Sequence, residues 1–553
     1  MQIPVAELIV RFMERLGIRR IFGLPGSHIL PVYDALRASG IRTVLAKHEQ
    51  AAAFMAMGHA RVTGGIGACI TTAGPGATNL VTAIASAYAD RLPILAITGE
   101  APTHIFGRGG LQESSGEGGS VDQVALFAGI TRYHRLVERT DYLANVLIQA
   151  AKHLLADTSG PVVLSLPFNV QKEPVEATVL DEIRFSRAER ACPPAPGDVH
   201  ATVSLLARSR RPMIVAGHGV IRAGARETLT QLAERLNIPV ATSLKAKGAL
   251  DERSPLALGS LGVTSAGHAL RYLREQADLV LILGATFNER TSYVWDRTLL
   301  AGKTLIQVDN DPLQLEKVFR ADLAVHADLA AYLEALAQAT ENLPPRERVD
   351  IPGFITTSQR HLDASGEAVF DARFEHVRAF FAWLERRFPE GLALFDDNIV
   401  FAQSFYRVGR HDRFHPNTGI SSLGHAIPAA IGAGFALEQP LFALIGDGGF
   451  HMCAMELMTA VHYGIPLNVV LFSNGTMGLI RKNQQHLYGG RFIDCDFPNP
   501  DFALLARAFG IRHCRVECAD HLTRLDELDC RRGINLIEIA VARDAYPNYS
   551  SRR

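Results

Sequence analysis

The sequence predicts an α/β protein made of three Rossmann-like domains, each built on a parallel sheet. Three observations carry that prediction. Short apolar runs alternate with amphipathic helical stretches along the chain, the pattern of strand-helix-strand units rather than of hairpins. Several runs end in glycine-bearing turns that open a helix, as in Ile445-Gly446-Asp447-Gly448 and Thr72-Ala73-Gly74-Pro75. Two linker-like stretches, Arg184 to Asp198 and Glu341 to Glu367, divide a chain whose 553 residues exceed one ordinary domain. The expected domains are residues 1–180, 190–340 and 365–553.

Composition narrows the partners. An apolar fraction of 48% with 20% charged residues describes a soluble globular chain with large cores, and a net charge of −1 gives no long-range pull toward nucleic acid or a membrane. Met1 to Gly17 carries Glu7, Glu14 and Arg15 in a helical pattern, unlike a signal peptide, and no apolar run is long enough to span a bilayer. Seven scattered cysteines, an odd number, argue against a disulfide framework and for a reducing cytoplasm. His513, Cys514 and Cys518 lie close together without a second ligand pair and read as structural.

The first domain is expected to open with a helix (Val5 to Leu16), a strand (Arg20 to Gly23), the turn Leu24-Pro25-Gly26-Ser27, a helix (Ile29 to Ala38) and a strand (Arg42 to Ala46). Lys47-His48-Glu49-Gln50 then leads into a helix of small residues, where Glu49 either favours the helix dipole or faces a ligand. The strand at Ala68 ends in Ala73-Gly74-Pro75-Gly76-Ala77-Thr78-Asn79, followed by a helix to Tyr88, Pro93 and the strand Ile94 to Thr98. His104 to Ser120 is a glycine-rich loop, mobile or shaped by a ligand, in which Gln112 and Glu113 stand out. The strand Pro161 to Pro167 closes the domain.

The second domain alternates from Met213–Ala216 and Gly217-His218-Gly219 through Val240–Thr242, Leu279–Leu283 and Thr304–Val308; its Gly-x-Gly is not a full dinucleotide fingerprint. The third holds the strand Ala393 to Phe395, then Asp396-Asp397-Asn398, the turn Asn417 to Gly424 and a helix Ala429 to Ala436. Its centre is Leu441 to Ile480, where one apolar run ends on Gly446-Asp447-Gly448-Gly449 and the next, Leu467 to Phe472, on Ser473-Asn474-Gly475-Thr476. If these strands are parallel neighbours, Asp447 and Asn474 meet at their carboxyl ends, where open α/β sheets bind ligands. One carboxylate, one amide oxygen, a backbone carbonyl and a diphosphate would suit Mg²⁺. The spacing from Ala68 to Pro93 is 25 positions and that from Phe442 to Pro466 is 24, so the outer domains read as a duplicated unit.

Gly446-Asp447-Gly448 with Asn474 resembles the signature of thiamine diphosphate enzymes, and Glu49 stands where that family keeps its activating glutamate. Ala73 to Thr78, Leu111-Gln112-Glu113, Pro428 to Ala433 and Asn499-Pro500-Asp501-Phe502 are similar to the acetohydroxyacid (acetolactate) synthase catalytic subunit. The resemblance implies pyrimidine-binding, central and diphosphate-binding domains, and active sites shared between subunits of a homodimer or homotetramer. It implies that Asp447, Asn474 and the Thr476 carbonyl hold Mg²⁺, that Pro75, Gly76, Asp396, Asn398, Ser421, Gly448, Gly449, Met477 and Gly478 contact thiamine diphosphate, and that Leu423 bends it. Glu49 would hydrogen-bond the pyrimidine ring and Gln112 would lie near the acceptor, with Pro25, Gly26 and His104 as neighbours. The implied reaction is decarboxylation of a pyruvate-like 2-oxo acid and ligation of the two-carbon unit to a second carbonyl compound; the alternative is a non-ligating decarboxylase or C–C lyase. A regulatory subunit is compatible but not indicated.

Two departures bear on the acceptor: Asn483 replaces a tryptophan of the synthases and Leu111 a phenylalanine. In the central domain, Gly259 to Gly262, Gly284 to Arg290 and Asp309 to Pro312 resemble the segments with which flavin-containing members hold FAD, while the same sheet occurs in flavin-free relatives. Two further readings, a non-catalytic cofactor-holding paralogue and a nucleotide-binding dehydrogenase, conflict with the intact Glu49, Asp447 and Asn474 and with the missing fingerprint.

Overall fold

The computed structural model describes residues 1–186, 192–352 and 369–549. Residues 187–191 and 353–368, the middle of the first expected linker and most of the second, lie outside the described residues.

A short strand, β1 (Gln2–Pro4), is followed by β2 (Arg20–Gly23), β3 (Arg42–Leu45), β4 (Gly67–Thr71), β5 (Ile94–Glu100), β6 (Tyr133–Leu136) and β7 (Val162–Pro167). Strands β2 to β7 form a parallel six-stranded sheet in the order β3-β2-β4-β5-β7-β6. β8 (Pro174–Glu176) returns to pair antiparallel with β1, so the unit continues past the strand expected to close it.

The middle sheet contains β9 (Pro212–Ala216), β10 (Val240–Ser243), β11 (Ala257–Leu261), β12 (Leu279–Leu283), β13 (Thr304–Asp309) and β14 (Leu323–His326), in the order β11-β10-β9-β12-β13-β14. Its strand order reverses between β9 and β12, as in a doubly wound nucleotide-binding sheet. The C-terminal sheet contains β15 (Ala393–Asp396), β16 (Arg413–Pro416), β17 (Leu441–Gly446), β18 (Leu467–Ser473), β19 (Arg512–Val516) and β20 (Ile534–Ala540), ordered β16-β15-β17-β18-β20-β19. Counted within each unit, this is the path of the N-terminal sheet, second-first-third-fourth-sixth-fifth. The duplication expected from spacing therefore extends to topology.

Central strands are buried along their length because helices cover both faces. The two outer units meet through equivalent helices, each following the second strand of its sheet: Glu49–Thr63 and Ala426–Gly434. Small residues allow backbone approach here. A Cβ on Gly58 would fall 1.9 Å from the Ala429 carbonyl oxygen, and one on Gly432 would fall 2.0 Å from that of Met55. Phe54 meets His425 edge-on at the same seam, with centroids 5.1 Å apart.

Candidate active site

β17 and β18 are parallel neighbours with Gly446 opposite Phe472, so the turns that follow them converge. Asp447, 2% exposed, accepts hydrogen bonds at Oδ2 from the backbone N–H groups of Asn474 (2.8 Å) and Gly475 (2.6 Å) and from Asn499 Nδ2 (2.8 Å). Its Oδ1 accepts only from Gly448 N, at 3.0 Å. Asn474 Oδ1 accepts from Thr476 N at 3.1 Å, and the Thr476 hydroxyl donates to the Cys495 carbonyl at 2.8 Å. Asp447, Asn474 and Thr476 thus form one connected turn.

The expected strand, tight turn and helix follow one another without a gap: the helix Asp447–Cys453 begins at the aspartate and takes Gly448 and Gly449 into its first turn. The glycines serve packing: a Cβ on Gly448 would lie 2.5 Å from Met477 Sδ, and one on Gly449 would lie 2.7 Å from Asp397 Oδ2. Met477 N donates to the Cys495 carbonyl at 2.7 Å, and the next helix starts at Gly478.

A second cluster borders the first. Asp397, in sequence one of three polar residues of the Asp-Asp-Asn turn, accepts from Gly424 N at 2.7 Å and from His425 N at 3.1 Å, and so fixes the segment that carries Ser421 and Leu423. Asn417 Nδ2 donates to the Ser422 carbonyl. Ser421 (φ 58°) and Asn398 (φ 64°) hold left-handed backbone conformations, which non-glycine residues adopt rarely. Asp396 accepts from Ile399 N (2.7 Å) and Gln403 Nε2 (3.2 Å). Burial pushes its carboxyl up to about 7 and that of Asp397 to about 6. Three buried oxygens here, Asn398 Oδ1, Ser422 Oγ and Asn499 Oδ1, have no hydrogen-bond partner.

The N-terminal residues form a separate group. Glu49 is the first residue of its helix and half-buried, and Asn79 Nδ2 donates to its Oε2 at 2.9 Å. Glu456, from the C-terminal unit, anchors the approach by accepting from Lys47 N and His48 N, both at 2.9 Å. Pro75 and Gly76 open a one-turn helix after Gly74 (φ 57°). Gln112, also left-handed (φ 56°), places Oε1 3.2 Å from His28 Nδ1 and accepts from Thr72 Oγ1 at 3.3 Å.

The His104 to Ser120 loop is shaped from within rather than open. The Glu113 carboxylate accepts from Gly107 N (2.6 Å), Gly110 N (2.9 Å) and Ser115 Oγ (2.7 Å). Buried Glu100 accepts from Ala101 N and Ser114 N at 2.7 and 2.9 Å. Leu111 projects outward, 72% exposed.

Within one chain, no hydrogen bond joins Glu49 to the Asp447 turn; its one side-chain partner, Asn79, belongs to its own unit. Asn79, Asp397, Glu456 and Asn499 are the polar groups that motif reading missed as functional. Asn79 and Asn499 lay inside motifs singled out for other residues. Nothing local marks Glu456.

Family models match the chain in three successive segments: the N-terminal TPP binding domain of thiamine pyrophosphate enzymes at residues 3–126, their central domain at 199–336 and their C-terminal TPP binding domain at 398–538. The probable acetolactate synthase large subunit of Methanocaldococcus jannaschii is 32% identical over 534 residues, covering 94% of this chain and 88% of the relative. Acetolactate synthase isozyme 2 large subunit of Escherichia coli K12 is 31% identical, covering 95% and 92%. The large subunit IlvB1 of Mycobacterium tuberculosis is 32% identical, covering 98% and 89%. No described helix is long and apolar enough to cross a membrane. The chain belongs to the thiamine pyrophosphate enzyme family, and is a thiamine-diphosphate-dependent enzyme similar to the acetolactate synthase large subunits.

Proposed function

We propose that this enzyme decarboxylates a pyruvate-like 2-oxo acid and joins the retained fragment to a second carbonyl compound, using thiamine diphosphate and Mg²⁺. The observation that carries the reading is the convergence of Asp447, Asn474 and Thr476 on adjacent parallel strand ends. Three donors orient Asp447 and occupy Oδ2, which leaves Oδ1 as a hard anionic oxygen. Among the described residues no cluster of three or more His, Cys, Asp or Glu could hold a metal. A cation here would take its remaining ligands from Asn474 Oδ1, the Thr476 carbonyl, diphosphate and water, a set that suits Mg²⁺. The unpartnered oxygens of Asn398, Ser422 and Asn499 supply polar contacts for a ligand beside it. Asp396, Leu423, Gly448, Gly449, Met477 and Gly478 would complete the diphosphate and ring contacts.

The bound cofactor supplies a nucleophilic ring carbon and an electron sink for loss of CO₂. The protein's part is to orient and to exclude water. Glu49, with Pro75 and Gly76 beside it, would hold a proton at the cofactor's pyrimidine nitrogen, and Gln112, held by His28 and Thr72, would orient the acceptor carbonyl. Because no hydrogen bond joins Glu49 to the Asp447 turn of its own chain, we assign the complete site to a homodimer or a homotetramer of such dimers. Exposed Leu111, Val121, Val124, Met452, Met455 and Ile480 provide apolar surface for that contact. A flavin across the carboxyl ends of the middle sheet, in a structural role, is consistent with the strand reversal there; a yellow purified protein supports it and a colourless one removes it.

The test is incubation of the enzyme with thiamine diphosphate, Mg²⁺ and pyruvate, alone and with a panel of 2-oxo acids and aldehydes, with products identified by mass spectrometry. A 2-hydroxy-2-alkyl-3-oxo acid or 2-hydroxyketone supports ligation. Release of CO₂ with free aldehyde alone supports the second reading, a non-ligating decarboxylase, which Leu111 and exposed Asn483 favour because neither closes the acceptor side with an aromatic wall. No consumption of any 2-oxo acid defeats both.

A further inference from the structure

A cavity of about 780 Å³ lies where all three units meet, away from the turns described above. Its walls include the ends of segments that precede strands in the outer sheets, at Arg91–Pro93 and Arg410–Arg413, and Asn310 at the end of β13. Each unit contributes an arginine to one corner: Arg61 from the N-terminal unit, Arg226 from the middle unit and Arg413 from the C-terminal unit.

The charges in that corner do not balance locally. Arg61, whose side chain is 5% exposed, pairs with Asp90, but the same carboxylate also takes Lys245, so one anion serves two cations. The Nε of Arg61 is buried without a partner. Arg226 has a buried, unpartnered Nε as well, and no ion pair to its guanidinium occurs among the described residues. Burial and the neighbouring Arg413 cation lower its tendency to stay charged. Asp412, whose charge opposes that effect, is already taken by Leu392 N (3.1 Å), Gly409 N (2.7 Å) and Tyr406 Oη (2.8 Å) and lies 3.9 Å from the Arg253 guanidinium.

His415 adds a buried Nε2 with no partner. Burial and the cations Arg61, Arg413 and Arg226 hold it neutral, far below the usual imidazole range. His218, bonded through Nδ1 to the Lys245 carbonyl at 3.1 Å, is pushed down to about 3 by burial and by the cations Lys245, Arg61 and Arg222. Of the other acidic groups on the walls, Glu390 is engaged by Arg531 and Asp328 caps the helix Leu329–Ala339; Asp157, whose backbone carbonyl accepts from Arg222, also lines the cavity. A buried guanidinium without an ion pair, as at Arg226, is costly, and planar N–H forks match tetrahedral oxyanions.

We propose that this corner binds a phosphate group, free or as the end of a small phosphorylated metabolite, with Arg61, Arg226 and Arg413 as its ligands. Such an anion bridges three units through one arginine from each and stabilises their mutual placement. It requires nothing of the catalytic reading.

The experiment uses the full-length enzyme saturated with thiamine diphosphate and Mg²⁺, so that the diphosphate turn is filled. Inorganic phosphate is titrated against chloride at constant ionic strength, with binding followed by calorimetry and unfolding by a thermal scan. Saturable binding is expected, with a melting temperature that climbs with phosphate concentration. Arg226→Gln and the more exposed Arg413→Gln should each weaken phosphate affinity about tenfold or more; if the first does not fold, the second decides. Glycerol 3-phosphate in place of phosphate separates the sources: competition points to a metabolite's phosphate end, and its failure to compete points to the free ion. Equal melting in phosphate and chloride, or an unchanged phosphate response in Arg413→Gln, overturns the proposal.

Discussion

The N-terminal and C-terminal units follow the same strand path and meet through equivalent helices, yet their strand ends carry opposite chemistry. After its third strand the N-terminal unit places Ala73-Gly74-Pro75-Gly76, without a charge, and sets its carboxylate, Glu49, on the preceding helix. The C-terminal unit puts the carboxylate directly after the third strand, as Asp447, and an amide after the fourth, as Asn474. Glu49 is half-buried with one side-chain partner, whereas Asp447 is buried with one oxygen bonded by three donors, which in the proposed reading suits the first to a proton and the second to a cation. One scaffold, duplicated, thus sets its carboxylates at two different places and in two different surroundings.

That contrast breaks most sharply if the two residues are disabled one at a time. Glu49→Gln is expected to lower the rate about 10²- to 10⁴-fold, the range for loss of an acid–base group, while thiamine diphosphate still binds by calorimetry. Asp447→Ala should instead abolish Mg²⁺-dependent cofactor binding. Mixed after refolding or coexpression, the two inactive chains should regain activity, because each mixed dimer contains one site with both groups intact. With random pairing, recovery approaches about a quarter of wild type. No recovery at all would place both groups in a single chain's site and defeat the shared-site reading.

The next largest effect concerns the seam between the units. Gly→Ala inside a helix ordinarily stabilises by about 1 kcal/mol. At Gly58 and Gly432 the sign should reverse, because the added methyl would meet a carbonyl oxygen at 1.9 or 2.0 Å, and overpacking of this kind costs about 1–3 kcal/mol or more. Since the contacts are reciprocal, Gly58→Ala and Gly432→Ala should lower the denaturation midpoint by similar amounts. A large cost for one and none for the other would show that the two helices are not equivalent.

The central strands of all three sheets were legible because they are fully buried apolar runs bounded by turn residues. Edge strands were legible only in part: β3 is expected from Arg42 to Ala46, whereas β6 reads Tyr-His-Arg-Leu and β16 reads Arg-Phe-His-Pro, and a half-solvated edge carries little apolar signal. β11 and β14 were missed as well. At the site, Asp447 and Asn474 could be paired from the sequence because strand-helix-strand units bring successive strand ends together. Glu456 could not, since its bonds to Lys47 and His48 cross about 400 residues of chain. Asp397 was hidden by its neighbours, because a buried carboxylate that ties a distant loop looks, in sequence, like one more polar turn residue.

A third expected effect, confined to a pH interval, separates the units by pH. The first strand of the N-terminal sheet ends at Gly23, with no carboxyl group, whereas its counterpart β15 ends on buried Asp396 beside Asp397. Burial raises both carboxyl groups, to about 7 and about 6, so the folded state binds these protons more tightly than the unfolded chain. A carboxyl raised in this way favours folding most below its unfolded value near 4, and that contribution is lost as pH climbs through about 4 to 7. For Asp396 the loss between about pH 5 and pH 8 is about 2–3 kcal/mol. Asp396→Asn keeps an oxygen for Ile399 N and cannot ionise, so the variant's denaturation midpoint should fall less over that interval. Hydrogen exchange should show the pH-dependent loosening in β15 and β17 and not in β2 and β4. If wild type and Asp396→Asn change in parallel with pH, the buried carboxyl is not the source, and the two first strands do not differ in the way their ends suggest.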